Sequence, residues 1–142
     1  MKKLEIQTFE DLKVWQIGRK IRNEIFELVK RFPKEEKYRL TDQIVRSSRS
    51  ISDNISEGYG RFHYQENIQF CRIARGSAYE LINQLITAFD CSYITDDQLS
   101  YHKDQVTREI QLINGYIRYL KKTKNNSKVQ EEEIPYLNSD IE

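Results

Sequence analysis

The chain has 142 residues, the length of one ordinary domain, with 38% hydrophobic and 32% charged residues. That balance excludes a disordered chain by composition, and two prolines with five glycines disfavour a turn-rich β-sandwich. The net charge of +1 hides an asymmetry: residues 1–128 hold all 23 bases and 17 acids, a net of +6, whereas residues 129–142 hold five acids and no base. No apolar run approaches the ~20 residues of a membrane span, and Met1–Glu5 carry no apolar stretch of a secretory signal. Two cysteines, Cys71 and Cys91, fit a reducing compartment, so a cytoplasmic protein without a membrane partner is expected.

Apolar periodicity predicts four helices. The first runs from about Glu10 to Phe32, opened by a Thr8–Asp11 capping box and stopped by Pro33. Its stripe is Val14, Ile21, Ile25, Leu28 and Phe32. The second runs from about Tyr38 to Glu57 with Ile44, Ser48, Ile51 and Ile55 inward, and Gly58 and Gly60 are expected to end it. Its five serines lower helicity but let a neighbouring backbone come close. Opposite the stripe, Asp42, Arg46, Arg49, Asp53 and Glu57 suggest a ladder of surface ion pairs.

The third helix is predicted over Gln65–Asp90, with Cys71, Ala74, Ala78, Leu81, Ile82, Leu85 and Phe89 inward. The fourth covers Asp96–Lys122, opened by a Thr95–Gln98 capping box. Its stripe is Leu99, His102, Val106, Ile110, Ile113, Ile117 and Leu120, and Lys121, Lys122 and Lys124 suit a negative helix end. Short links imply an all-α, up-down-up-down antiparallel four-helix bundle over residues 1–124, followed by an acidic, flexible tail at 125–142.

Two helices carry apolar residues off their core stripe. Leu12, Trp15 and Phe26 lie about 120–180° round helix 1 from Ile21, and Tyr101, Leu112 and Tyr119 about 100–120° round helix 4 from Ile113. A second buried surface between copies is the expected explanation, the competing one being rings laid against Lys and Arg stems.

Chemistry is sparse. His63 and His102 are far apart, the cysteines lie about 30 Å apart along one helix, and no HExxH, Walker loop, GxGxxG or GxSxG is present. Asp53 and Glu57 at i,i+4 are the best carboxylate pair, a weak signal. A non-enzymatic protein with no metal and no cofactor is expected. Arg39, Arg46, Arg49, Arg61, Arg72 and Arg75 are the bases between positions 38 and 75, and arginine suits phosphate. The loop Gly58–Tyr64 sets Arg61 among aromatic rings, which either cover the bundle end or stack on an unpaired base.

The stretches FEDLKVWQ (Phe9–Gln16), FPKEEKYRLTDQIVRSS (Phe32–Ser48), SISDNISEGYGR (Ser50–Arg61) and IARGSAYEL (Ile73–Leu81) resemble the four-helix-bundle proteins of the 23S rRNA intervening-sequence family. The chain is also similar to the accessory protein of diversity-generating retroelements, a basic pentameric barrel that binds nucleic acid and a reverse transcriptase. The resemblance implies a homo-oligomeric ring, five subunits being the expected count, and carries over no catalytic residue. Together with the +6 body it points to nucleic-acid binding, structured RNA above DNA, through Arg46, Arg49, Arg61, Arg72 and Arg75. A scaffold docking an RNA-processing enzyme or reverse transcriptase is the alternative.

Overall fold

A computed structural model describes residues 5–133, with side chains through residue 126. Among them all regular structure is helical: α1 spans Lys13–Leu28, α2 Leu40–Tyr59, α3 Tyr64–Asp90 and α4 Asp96–Glu133. Single 3-10 turns at Phe9–Asp11, Val29–Arg31 and Lys34–Glu36 lead into α1 and link it to α2. α1 and α3 each pack against both α2 and α4, so four rods enclose one core.

The Asp11 carboxylate accepts the backbone N–H of Thr8 at 3.2 Å and of Gln7 at 3.0 Å. This closes the expected cap, but over a 3-10 turn, and α1 proper starts at Lys13. Val14, Ile17, Ile21, Ile25 and Leu28 are buried. The helix tightens to 3-10 after Leu28, because Phe32 precedes proline and must turn extended, at ψ 151°. Phe32 is nevertheless buried, its ring 5.5 Å from that of Tyr93.

α2 differs from expectation at both ends. It starts at Leu40, leaving Tyr38 exposed, and it continues through Gly58 to Tyr59. Neither glycine is left-handed: Gly60 caps the helix at φ −73°. Gly58 is small for another reason, since a Cβ there would lie 2.7 Å from Asn67 Oδ1 and 2.9 Å from Phe70 Cβ on α3. The serines pack as expected. Ser47, Ser48 and Ser52 are buried, and Ser50 shares a 2.8 Å hydrogen bond with Ser77 of α3. Ser48 satisfies its hydroxyl on its own helix, donating to the Val45 carbonyl at 2.8 Å.

α3 buries Cys71, Ala74, Ala78, Leu81, Leu85 and Ala88. Ala88, three residues after Leu85, takes the last inner position, whereas Phe89 is a further ~100° round and exposed. The helix ends in a Schellman turn: the N–H groups of Ser92 and Tyr93 reach the carbonyls of Phe89 and Ala88, each at 2.9 Å. Ser92 occupies the left-handed position at φ 64°, where glycine is usual.

α4 opens on the expected reciprocal box, Gln98 Oε1 accepting the Thr95 N–H at 2.9 Å and Thr95 Oγ1 accepting the Gln98 N–H at 3.1 Å. Val106, Ile110, Ile113, Ile117 and Leu120 are buried, and Leu99 and His102 are half-buried at the margin. The helix runs past Lys122 to Glu133, so Lys121, Lys122 and Lys124 sit within it rather than at its negative end. The part of the acidic tail beyond residue 133 lies outside the described residues.

One core residue breaks the apolar pattern. Glu109 of α4 is fully buried, and among the described residues neither carboxylate oxygen finds a hydrogen-bond partner. It fits because Gly18 of α1 faces it: a Cβ on Gly18 would stand 2.7 Å from Glu109 Oε2 and 3.4 Å from Ser52 Cβ of α2. Burial pushes the Glu109 carboxyl up to about 9, against a small opposing pull from Arg108.

Candidate nucleic-acid interface

The seam between α3 and α4 is stitched by polar side chains. Asn67 donates to the Tyr116 hydroxyl at 3.2 Å, Arg75 to Asn114 Oδ1 at 2.8 Å, and Lys124 to Gln65 Oε1. On the same seam lies a groove of about 200 Å³ lined by Gln65, Ile68, Arg72, Lys121, Lys124 and Asn125. Three cations line it and, among the described residues, no acid does. Among the described residues Arg72, Arg75, Lys121 and Lys124 form no ion pair. Cations that no described carboxylate neutralises attract a polyanion.

The other arginines lie elsewhere. Arg46 pairs with Asp42 at 3.1 Å and borders a serine-lined cleft between α2 and α3. That cleft of about 280 Å³ also holds Glu80, which accepts a hydrogen bond from Ser47 at 3.3 Å. Arg49 is exposed and makes no ion pair among the described residues, so the expected ladder on α2 reduces to Asp42–Arg46 and a link from Glu57 to the loop. Arg61 is held by that link, 2.7 Å from Glu57, with Glu66 at 3.7 Å and the Phe70 ring 4.9 Å below. Two carboxylates compete with any phosphate for it, so Arg61 serves as a clip across the α2–α3 turn. The five arginines thus divide: Arg72 and Arg75 belong to the α3–α4 seam, and Arg46, Arg49 and Arg61 do not.

The loop aromatics also divide. Tyr59 is half-buried and meets Phe9 edge-on at 6.5 Å, and Phe9 meets Trp15 at 5.1 Å, so these rings cover that part of the bundle. Phe62 does not share in this. It is 86% exposed and touches His63 edge-to-face at 5.0 Å.

The expected subunit-interface residues fall into two groups. Leu12, Trp15 and Leu112 are half-buried against the chain's own core, and Arg19 lies 5.7 Å above the Trp15 ring. Phe26, Tyr101 and Tyr119 are exposed. Lys30 lies 5.0 Å over Phe26, Tyr101 donates to Glu24 Oε1 at 2.8 Å, and Tyr119 stacks on Tyr116 at 6.3 Å.

Neither cysteine is bonded: Cys71 is buried and Cys91 exposed. No group of three or more His, Cys, Asp or Glu side chains capable of holding a metal occurs among the described residues.

The sequence model of the 23S rRNA-intervening sequence proteins matches residues 10–115, which include α1, α2, α3 and the first half of α4. The chain belongs to that family. A solved structure of a Bacteroides thetaiotaomicron protein, described as of unknown function and from the S23 ribosomal protein family, superposes with a TM-score of 0.69. It is 26% identical, over 74% of this chain and 95% of that one. No curated protein matches. Gln65, Ile68 and Arg72 of the groove fall within the family match, whereas Lys121, Lys124 and Asn125 follow it. By sequence these lysines suit a helix end, whereas they lie within α4. Their meeting with Arg72 in one groove depends on how α3 and α4 pack, and its only local trace is that Arg72 and Arg75 share a side of α3.

Proposed function

We propose that this family member is a non-enzymatic, cytoplasmic RNA-binding protein, an up-down-up-down bundle whose copies form a ring of about five. The observation that carries the reading is the groove of Arg72, Lys121 and Lys124, which no described acid lines, with Arg75 one helical turn on from Arg72. Structured RNA is favoured over DNA by the family's association with 23S rRNA. The topology is supported by the order of contacts: Ser47 meets Glu80 and Ser50 meets Ser77, while Gln65 meets Lys124 and Arg75 meets Asn114.

Phosphate binding by these cations predicts an affinity that falls steeply with salt. Replacing Arg72 and Lys121 together by Ala should lower the slope of log affinity against log salt by about 2 and weaken RNA binding at least ten-fold, with the melting temperature unchanged. Filter binding between 50 and 200 mM salt measures both. Failure of the wild-type protein to retain RNA or DNA even at low salt removes the reading.

Ring assembly is supported by exposed rings on two different flanks. Tyr101 meets α1 at Glu24, and Phe26 stands about 160–200° round α1 from Glu24. A ring joins one face of each copy to a different face of the next, which needs two distinct patches. Light scattering of the full chain should give a mass several times 17.1 kDa, and Phe26→Asp or Tyr101→Asp should each reduce it to one copy. A single-copy mass for the wild type contradicts assembly.

A second reading, a scaffold for a protein such as an RNA-processing enzyme or reverse transcriptase, is favoured by the outer face of α3. Ile73 and Tyr79 are exposed there on either side of Gly76, at which an added Cβ would meet nothing within 4 Å. A mid-helix glycine costs about 1 kcal/mol relative to alanine, and no described residue requires it. Recovery of a defined protein after nuclease treatment, lost on Gly76→Leu, supports this reading over RNA binding.

A further inference from the structure

We infer that Phe62 is a base-stacking platform at the mouth of the α3–α4 groove, so that the ligand is an RNA strand with unpaired nucleotides rather than a continuous duplex. The inference rests on the RNA-binding reading and adds the class of strand.

Phe62 is 86% exposed, in a chain whose nearby Phe9, Trp15 and Tyr59 rings are packed on one another. Leaving a phenyl ring in water forgoes the burial that keeps aromatic side chains inside folds. Its one aromatic neighbour among the described residues, His63, meets it edge-to-face, and at this exposure a ring face remains open. Phe62 precedes Gln65, the first groove-lining residue, by three positions, so their Cα atoms lie within about 11 Å. One or two nucleotides of an extended strand cover that distance. A strand whose phosphates run past Lys124, Lys121 and Arg72 therefore brings a base to Phe62.

Arg61 fixes the platform without competing for the ligand. Its guanidinium spans Glu57 of α2 and Glu66 of α3 over the Phe70 ring, which holds the turn that presents Phe62. Inside an A-form duplex the paired bases are stacked on one another and offer no face to a ring, so away from its two ends a duplex gains nothing from Phe62. Stacking on any unpaired base is tolerant of sequence.

The test is fluorescence anisotropy of the full chain with a labelled 12-nucleotide oligouridylate and a blunt 12-base-pair RNA duplex, at several salt concentrations. The single strand should bind more tightly than the duplex. Phe62→Ala should weaken single-strand binding about 5- to 100-fold, leave duplex binding within two-fold and leave the salt slope unchanged, because no phosphate contact is lost. Phe62→Trp should restore binding. Lys121→Ala should instead weaken both RNAs and lower the slope by about 1. Because Phe62 is exposed, the Ala variant should melt with the wild type, and a lowered melting temperature would mark the ring as structural and overturn the proposal. Unchanged single-strand affinity in Phe62→Ala, with Lys121→Ala impaired, overturns the stacking site while the RNA-binding reading stands. Absence of binding to either RNA by the wild type overturns both.

Discussion

Stability of the isolated protein should fall by about 1.4 kcal/mol per pH unit as pH rises from 7 to 8, and Glu109→Gln should flatten that fall. The cause is the buried carboxyl of α4, pushed up to about 9 from an ordinary 4.5. In the folded chain it keeps its proton at pH 7, whereas in the unfolded chain it is ionised. Between the two values the folded state therefore binds more protons, and stability declines with rising pH. The contribution is complete below about pH 4.5 and is lost as pH rises to about 9. By pH 7 the loss amounts to roughly 3 kcal/mol. In the window from 7 to 8 Glu109 dominates. Burial holds His102 below its ordinary 6.5, so its effect has the opposite sign and fades between pH 7 and 8. Burial pushes Cys71 up from 9.0 to about 12, so its effect begins only above pH 8. Urea titrations at half-unit steps measure the slope, and an equal slope in Glu109→Gln refutes the account.

Gly58→Ala should destabilise the fold by about 1–3 kcal/mol, although alanine is the better helix former. The new methyl would meet Asn67 Oδ1 at 2.7 Å, Phe70 Cβ at 2.9 Å and the Asn67 carbonyl at 3.1 Å. The last two cannot rotate away, so α2 and α3 must part. Asn67 is also tied to α4 through Tyr116, and Cys71 Sγ donates to Asn67 Oδ1 at 3.7 Å, so the displacement spreads across the seam. Gly60→Ala is the control. Its methyl would lie 3.5 Å from the Glu57 carbonyl, an ordinary contact, and Gly60 has a helical φ of −73°. Thermal melts should show the first variant lowered by several degrees and the second unchanged.

The helices and their inner stripes were legible because periodicity is a local property: Ile21, Ile44, Leu81 and Ile113 are all buried where spacing places them. The capping residues Asp11, Thr95 and Gln98 were legible for the same reason. Glu109 was overlooked although it carried a signal. It follows Val106 by three residues and precedes Ile113 by four, which places it on the buried stripe. Only Gly18, distant in sequence, makes room for it. The role of Gly58 was misread for a similar reason. A glycine near a helix end suggests a left-handed cap, and the chain that excludes a side chain there belongs to another helix. Candidate site residues were legible as residue types but not as neighbours. The spacing of six arginines cannot show that Glu57 and Glu66 occupy Arg61, or that Lys121 and Lys124 lie across a groove from Arg72.

The two thiols differ enough to serve as an experimental handle. Cys91 is exposed just beyond the last residue of α3, while Cys71 is enclosed and its proton is held to about pH 12. A maleimide dye at neutral pH should attach once per chain, at Cys91. With 27 residues of helix between that position and the loop of Phe62, roughly 40 Å, the label would sit clear of the groove and report RNA arrival by energy transfer without obstructing it.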